Sequence, residues 1–480
     1  MATTPTTSFD HVVDEGSFEP FGDDLSSTDP LRFAGYPDLL RDARDRTGHD
    51  ESVEVGAATI GGHAVEVAGF DFSFLGGSMG EVAGERVARA IERAVERRVP
   101  FVLRTATGGA RMQEGMRALV QMPKLVAART LLAEAGLPYV AILGDPSTGG
   151  VLASVAALAD YTVAETGAAV GFAGPRVVEA VTGALPPAGS HTAASALGNG
   201  LVDDVVDRDD VRSLLKLVLD ATAPDDPEPA SDPGGGRGEN RDPWAAVLSA
   251  RADTRPSAPD LARAMTDDAV ELRGDRAGRD DRGLVALLGR VAGRRVLLLA
   301  LDRAHLPGPG AFRKARRCLA VAVRLGLPVI TLVDTRGADP SERAEAGGIA
   351  WEIAATFEAL LCAPVPVVSV VTGEGGSGGA LALSVGDRLL IYEDAIFSVI
   401  GPEAAASILW RDPGKAADAA RALKPTARRL LELGIADAVV PEPPDAERLR
   451  EVLAYHLGAM STGPSDLSAA RRARWRGTRG

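Results

Sequence analysis

The sequence predicts an α/β protein made of two tandem homologous domains, each a spiral of repeated ββα or βαβ units. Three observations carry that prediction. Short apolar runs rich in β-branched residues (VPFVLRT, LPYVAILG, LPVITLVD and VPVVSVV) have the character of buried strands. Helical stretches such as 84–98 and 114–136 separate them, with glycine-rich turns between. The third observation is repetition. VPFVLRTATGGAR (99–111) aligns with LPVITLVDTRGAD (327–339), and LPYVAILGDPSTGGVLASVAALADYTVAE (137–165) with VPVVSVVTGEGGSGGALALSVGDRLLIYE (365–393). Pro100 and Pro328, like Pro138 and Pro366, stand 228 positions apart; the Gly-Gly pairs that begin at Gly149 and Gly378 stand 229 apart. Landmarks that keep order and spacing this closely mark a duplicated unit.

In chain order, residues 9–60 form a turn-rich acidic lead with a helix at PDLLRDARDRTG (37–48), and PDLARAMTDDAVELRGD (259–275) is its counterpart. Within 114–136, Leu119, Met122, Val126 and Leu131 approximate one face, and Pro123 kinks or breaks the helix. Residues 221–243 mix Pro, Gly and acidic residues with almost no apolar content, which predicts a flexible linker between an N-terminal domain (1–220) and a C-terminal one (244–460). The small, polar, then basic stretch 461–480 reads as a disordered tail.

Composition narrows the function classes. The chain has 480 residues, enough for two full cores. Its formal net charge of −14 argues against a general nucleic-acid binder. The two cysteines, Cys318 and Cys362, exclude a disulfide scaffold and a four-cysteine zinc ribbon. None of the six histidines has the i, i+4 spacing of a zinc pair, so no metal is expected, and His191 reads as a loop or helix-cap residue. No run reaches 18 unbroken apolar residues and the N-terminus lacks a basic-then-apolar signal, so a membrane is not expected and the cytoplasm is the default.

The chemistry concentrates in the glycine turns GDPSTGGVLAS (144–154) and GEGGSGGALAL (373–383). Gly373, Gly375 and Gly378 match G-x-G-x-x-G literally, but only the Gly-Gly pair is common to both turns, and no Gly-Lys-Ser/Thr ending makes a phosphate loop. A strand that ends in Gly-Gly and opens a helix aims unsatisfied N–H groups and the helix dipole at one spot, which favours a developing oxyanion. The structural alternative is that Gly-Gly merely permits tight strand–helix packing. Two copies at matching places in tandem domains favour function. Ser377 also matches G-x-S-x-G, yet a hydrolase triad needs a His and an acid that the sequence does not advertise.

Longer segments carry a family resemblance. FDFSFLGGSMGEVAGERVARAIE (70–92), ATGGARMQEG (106–115), DPSTGGVLASVAALADYTVAE (145–165) and GFAGPRVVE (171–179), with the lead DEGSFEPFGDDLSSTDPLRF (14–33), resemble the β subunit of bacterial acetyl-CoA carboxylase carboxyltransferase. PVITLVDTRGADP (328–340), the long stretch 370–410 and LLELGIADAVVPEP (430–443) resemble the α subunit. The chain is therefore similar to a fused β–α carboxyltransferase, and the resemblance implies two tandem crotonase-like domains.

The resemblance also implies chemistry. Carboxybiotin on a separate biotin carboxyl carrier protein supplies the carboxyl group and the base, so the protein orients two substrates and stabilises two oxyanions. The backbone N–H groups of Gly149 and Gly150 hold the acyl-CoA thioester enolate, and those of Gly379 and Ala380 the biotin ureido oxygen. Gly108, Gly109, Ala110, Arg111 and Gly174 line the acyl-CoA side; Gly337, Gly378 and Gly401 line the carboxybiotin side. Arg111 is read either as a contact to a CoA phosphate or as a structural partner of Glu114. The expected reaction is acetyl-CoA to malonyl-CoA for fatty-acid or polyketide synthesis, with a separate biotin carboxylase. A longer acceptor such as propionyl-CoA, a biotin-linked decarboxylase and a non-catalytic binding role are the alternatives. At least a homodimer is implied, each N-terminal domain facing the C-terminal domain of another copy. Two departures stand out: no cysteine precedes Cys318, so the β-subunit zinc ribbon has no counterpart, and the family's DTPGAYPG loop reads DTRGADPS, with Arg336 for a proline and Asp339 for a tyrosine.

Overall fold

The β-branched runs form the strands that their patterning predicts. In this computed structural model, which describes residues 8–22, 24–234, 236, 238–460 and 466–477, the chain divides into units 1–219 and 220–480. The first unit holds β1 (Glu19–Pro20), β2 (Val53–Ile60), β3 (His63–Phe70), β4 (Phe101–Thr107), β5 (Tyr139–Thr148), β6 (Tyr161–Glu165), β7 (Val170–Gly171) and β8 (Asp204–Val206). Its sheet runs β1-β2-β3-β4-β5-β6-β8, with β7 beside β5. The first three strands pair antiparallel and the rest parallel.

The second unit repeats this arrangement. It holds β9 (Asp267–Glu271), β10 (Leu284–Val291), β11 (Arg294–Leu301), β12 (Val329–Thr335), β13 (Val367–Gly376), β14 (Arg388–Tyr392), β15 (Ile396–Ser398) and β16 (Ala438–Val440). The order is β16-β14-β13-β12-β11-β10-β9, with β15 beside β13. Helices Glu81–Arg97 and Gln121–Glu134 cross between β3, β4 and β5, and Pro309–Leu325 and Ile349–Cys362 do so between β11, β12 and β13. In the first unit Ala83, Val87, Ala90, Ile91 and Ala94 lie on one helix face and pack with Leu125, Ala128 and Leu132 over Phe101, Leu103, Tyr139 and Ala141 of the sheet.

Three expectations are corrected. The stretch 114–136 breaks at Val120 into helices Met116–Leu119 and Gln121–Glu134, with Pro123 in the first turn of the second, where no intrahelical N–H is lost. The break resets the helical phase. Gln121, Leu125, Ala128 and Leu132 face the core, whereas Leu119 and Leu131 are exposed and Met122 and Val126 only half-buried. Residues 221–243 do not hang free as a flexible linker. Asp226 and Glu228 donate backbone N–H bonds to Gly293 and Ala292, Asp225 pairs with Arg295 at 3.1 Å, and Gly236 bridges Val439. Carboxylates and carbonyls hold this segment, so its lack of apolar residues misleads.

The third correction concerns the tail, which is not disordered where it is described: Leu467–Gly477 is a helix. The fully buried Arg471 uses all five guanidinium donors, two on Asp387 (3.0 and 2.6 Å) and three on the carbonyls of Leu360, Ala363 and Val365 (2.5, 2.9 and 2.8 Å). Asp387 in turn accepts the Val367 N–H at the start of β13. Replacing Arg471 with Ala strands Asp387 and three carbonyls without their donor. We expect Arg471→Ala to destabilise the protein by about 3 kcal/mol in urea denaturation; a loss under about 1 kcal/mol would show that the helix is only laid on the surface.

Candidate functional site

In both units the central parallel strand ends at a left-handed backbone position that opens a short helix. In the first unit β5 gives way to Gly149 (φ 69) and the helix Gly149–Leu152; in the second β13 gives way to Ser377 (φ 57) and the helix Ser377–Leu381. Gly149 and Ser377 are thus the structural equivalents, 228 positions apart, and the expected match of the two Gly-Gly pairs is off by one residue. Such a φ is cheap for glycine and strained for serine. Ser377 is exposed, and no His or acid hydrogen-bonds it among the described residues, so the G-x-S-x-G match assembles no triad.

A glycine loop from the neighbouring strand crosses each turn. In the first unit it follows β4: Gly108 donates to the Gly76 carbonyl at 2.9 Å, and Gly109 (φ 113) to Thr107 Oγ1 at 3.0 Å. A Cβ on Gly149 would stand 2.7 Å from Gly109 Cα, and one on Gly109 would stand 3.4 Å from Gly150 N. In the second unit the loop follows β12. Gly337 (φ 145) donates to Thr335 Oγ1 at 3.3 Å, and a Cβ on Gly379 would reach 2.5 Å from Ala338 N. One on Gly378 would meet nothing within 4 Å, so that face of the turn is open.

The donors are not quite those expected. Gly149 gives its N–H to Phe172 O at 2.9 Å and is not free to hold an oxyanion. The N–H groups of Gly150 and Ala110 have no acceptor among the described residues, and neither do those of Gly379 and Ala338. Ala380, expected as a donor, is the fourth residue of its helix and lies past the orphan N–H groups of the first turn. Ala338 is a donor that the sequence reading missed; the resemblance pointed to Gly337 beside it. Gly174 and Gly401 each stand just before a helix, Pro175–Thr182 and Pro402–Trp410, on the chain that leaves β7 and β15.

Arg111 does not reach a CoA phosphate. Its guanidinium is wholly buried, bound to Glu51, to Glu114 at 3.3 Å and to the Ser78 carbonyl at 2.7 Å. Tyr36 donates to Glu114 at 2.6 Å, and the other Glu114 oxygen accepts Glu81 N–H at 2.6 Å. Burial works against ionising Glu51, but Arg111 and the Ser27 hydroxyl outweigh it and hold its pKa below the ordinary glutamate value. This network anchors the end of the Gly108–Ala110 loop.

The two units together match a relative along nearly their whole length. The acetyl-CoA carboxylase carboxyl transferase subunits beta/alpha of Salinispora arenicola are 44% identical over 501 residues, covering 97% of this chain and 88% of that one. This chain belongs to the acetyl-CoA carboxylase carboxyltransferase family. The family model described as acetyl co-enzyme A carboxylase carboxyltransferase-like matches residues 238–460. A protein of Mycobacterium bovis described as a probable biotin-dependent acyl-coenzyme A carboxylase beta3 subunit is 37% identical and covers 96% of this chain and 95% of its own. Among solved structures, the transcarboxylase 12S hexamer with methylmalonyl-coenzyme A bound superposes with a TM-score of 0.78 at 25% identity, covering 95% of this chain and 89% of that one. The carboxyltransferase chain is therefore two tandem crotonase-like units.

The second unit of this carboxyltransferase also carries a charged recess of about 260 Å³ beside its glycine loop, lined by Arg251, Arg303, Asp334, Arg336 and Glu374 among others. Arg251 bridges Glu374 (2.6 Å) and Glu403 (2.7 Å). Such pairs, more than a hundred residues apart, leave no spacing signal. The two departures of the DTRGADPS loop separate here: Arg336 is largely exposed, whereas Asp339 accepts Ser341 N–H and hydroxyl and shapes the next helix start. Burial pushes Asp334 from 3.8 up to about 6, with the Glu374 N–H and Arg303 offsetting it only in part. The folded state then keeps a proton that the unfolded state has lost, so this group withdraws stability as pH rises from about 4 through about 6. We expect Asp334→Asn to gain thermal stability relative to the parent across that window. Parallel melting temperatures from pH 4 to 7 would refute it.

Proposed function

We propose that this chain is the carboxyltransferase component of a biotin-dependent carboxylase, moving a carboxyl group from carboxybiotin to acetyl-CoA to give malonyl-CoA. One observation carries the proposal: each unit presents, at the end of its central strand, backbone N–H groups without acceptors beneath a loop in which glycine keeps side-chain bulk away. When bound, carboxybiotin supplies the carboxyl group and a base. The residues of this chain supply orientation and charge stabilisation. Gly150 and Ala110 N–H groups hold the thioester oxygen as it gains negative charge, and Gly379 and Ala338 N–H groups hold the ureido oxygen. The open face at Gly378 fits a planar ring, which a side chain there would obstruct. Gly108, Gly109 and Gly174 bound the acyl-CoA side, and Gly337 and Gly401 the biotin side.

The relatives' names support acetyl-CoA as the acceptor, while the methylmalonyl ligand of the 12S structure keeps propionyl-CoA as the second reading. Biotin carboxylase and carrier protein are separate cytoplasmic partners in this proposal, and no metal takes part. A second copy completes each site, with the first unit of one chain facing the second unit of its partner.

Reverse transfer tests it. Purified chain is offered malonyl-CoA or methylmalonyl-CoA with free biocytin as acceptor. We expect transfer from malonyl-CoA, and a fall of about 100-fold or more in kcat for Gly379→Ala and Gly150→Val. Preference for methylmalonyl-CoA would shift the acceptor to propionyl-CoA. A folded chain that turns over neither would refute the catalytic reading.

A further inference from the structure

We propose that a basic recess on the second unit is the landing site for an acidic surface of the biotin carrier protein, a proposal that rests on the carboxyltransferase reading above. The recess is about 400 Å³ in volume, and five cations line it: Arg241, Arg421, Lys424, Arg428 and Arg429. Only Asp242 and Glu432 oppose them on its walls. The protein as a whole carries a formal charge of −14, so an acidic partner is repelled by most of its surface and attracted here.

The pairing within the recess leaves charge uncovered. Arg421 meets Asp242 at 2.8 Å and Asp418 at 3.5 Å, and Arg241 is taken by Asp394 and, at 3.6 Å, by Glu239. Arg428 and Arg429 share the single carboxylate of Glu432, at 3.0 and 3.3 Å. Lys424 has no ion-pair partner among the described residues. It closes the helix Ala416–Leu423 in a left-handed conformation (φ 51), with its N–H on Ala420 O at 2.9 Å, which fixes it at the lip. On the recess walls themselves five cations thus face two carboxylates, since Asp394, Asp418 and Glu239 stand off those walls. The side chains of Arg421, Arg428 and Arg429 are 51%, 47% and 44% exposed. A pocket built for a small phosphate ligand would desolvate its cations; half-solvated ones suit the rim of a protein contact, where charge steers encounter.

Position joins the recess to the chemistry. Pro425 O accepts Phe397 N–H at 2.9 Å, and Thr426 bridges Ile396, so the recess wall is tied to β15. In β15, Phe397 and Ser398 pair with Gly375 and Gly376, the two residues before the Ser377 turn. The recess wall thus stands two strand spacings, about 10 Å, from the strand that ends in the biotin-side donors.

The test compares two acceptors in the reverse reaction: the biotinylated carrier protein and free biocytin. For Lys424→Glu, Arg428→Glu and the milder Lys424→Ala, we expect KM for the carrier to rise, by about tenfold for the charge reversals. Biocytin turnover and KM for malonyl-CoA should stay at parental values, and added salt should weaken carrier use by the parent more than by the variants. An unchanged carrier KM would overturn the landing site. A raised KM for malonyl-CoA would also overturn it and assign the recess to a phosphate-bearing ligand. If the parent transfers to neither acceptor, the carboxyltransferase reading fails first, and the landing site with it.

Discussion

Unpaired backbone N–H groups at the end of a buried central strand are the constraint around which both units are built. A buried amide without an acceptor costs free energy, and a sheet ordinarily removes it. Here Gly379 keeps its own although the residue is buried. What holds it is stiffness on every side: β13 is buried along all ten residues, and Thr335 both accepts from Gly337 N–H and donates to Gly337 O, fixing the covering loop. In the first unit the Arg111, Glu51 and Glu114 network does the equivalent work on the loop below Gly150. Catalysis by backbone asks a fold to keep amides idle, and the surrounding hydrogen bonds meet that demand.

The duplication preserves geometry more faithfully than chemistry. Arg86 and Lys314 are both the sixth residue of their helices, and each donates to the first carbonyl of the unit's long hairpin strand, Val53 O at 3.4 Å and Leu284 O at 3.0 Å. The cation changed and its acceptor did not. Around the turns the two units have parted. One clamps its loop with a single buried arginine, and the other surrounds its loop with Arg251, Arg303 and paired acids. That divergence suits two sites that receive different molecules on one scaffold.

The sequence disclosed what depends on local pattern. Strands, crossover helices, the repeat and the glycine turns all follow from periodicity and from residues that only glycine can replace. Contacts decided by distant partners stayed hidden. Leu119 and Leu131 looked apolar enough to face the core until the break at Val120 shifted the phase. Gly149 looked like a free donor because nothing local says that Phe172 O takes its N–H. Arg471 looked like a cation of a loose tail, since composition counts charges without showing where an Asp387 awaits it; for Arg111 the pairing with Glu114 was legible in the spacing, but Glu51 was not.

The helix around Arg471 has a consequence for biosynthesis. Its guanidinium ties together the end of helix Ile349–Cys362 and the start of β13, so the second unit lacks an internal tie until that residue has emerged from the ribosome. The first unit, ending at Leu219, has all of its sequence available far earlier. At roughly 5–20 residues per second the gap lasts on the order of tens of seconds. During that interval a finished first unit waits beside an unfinished neighbour, and a nascent chain truncated before Arg471 would leave quality-control proteases a marked target.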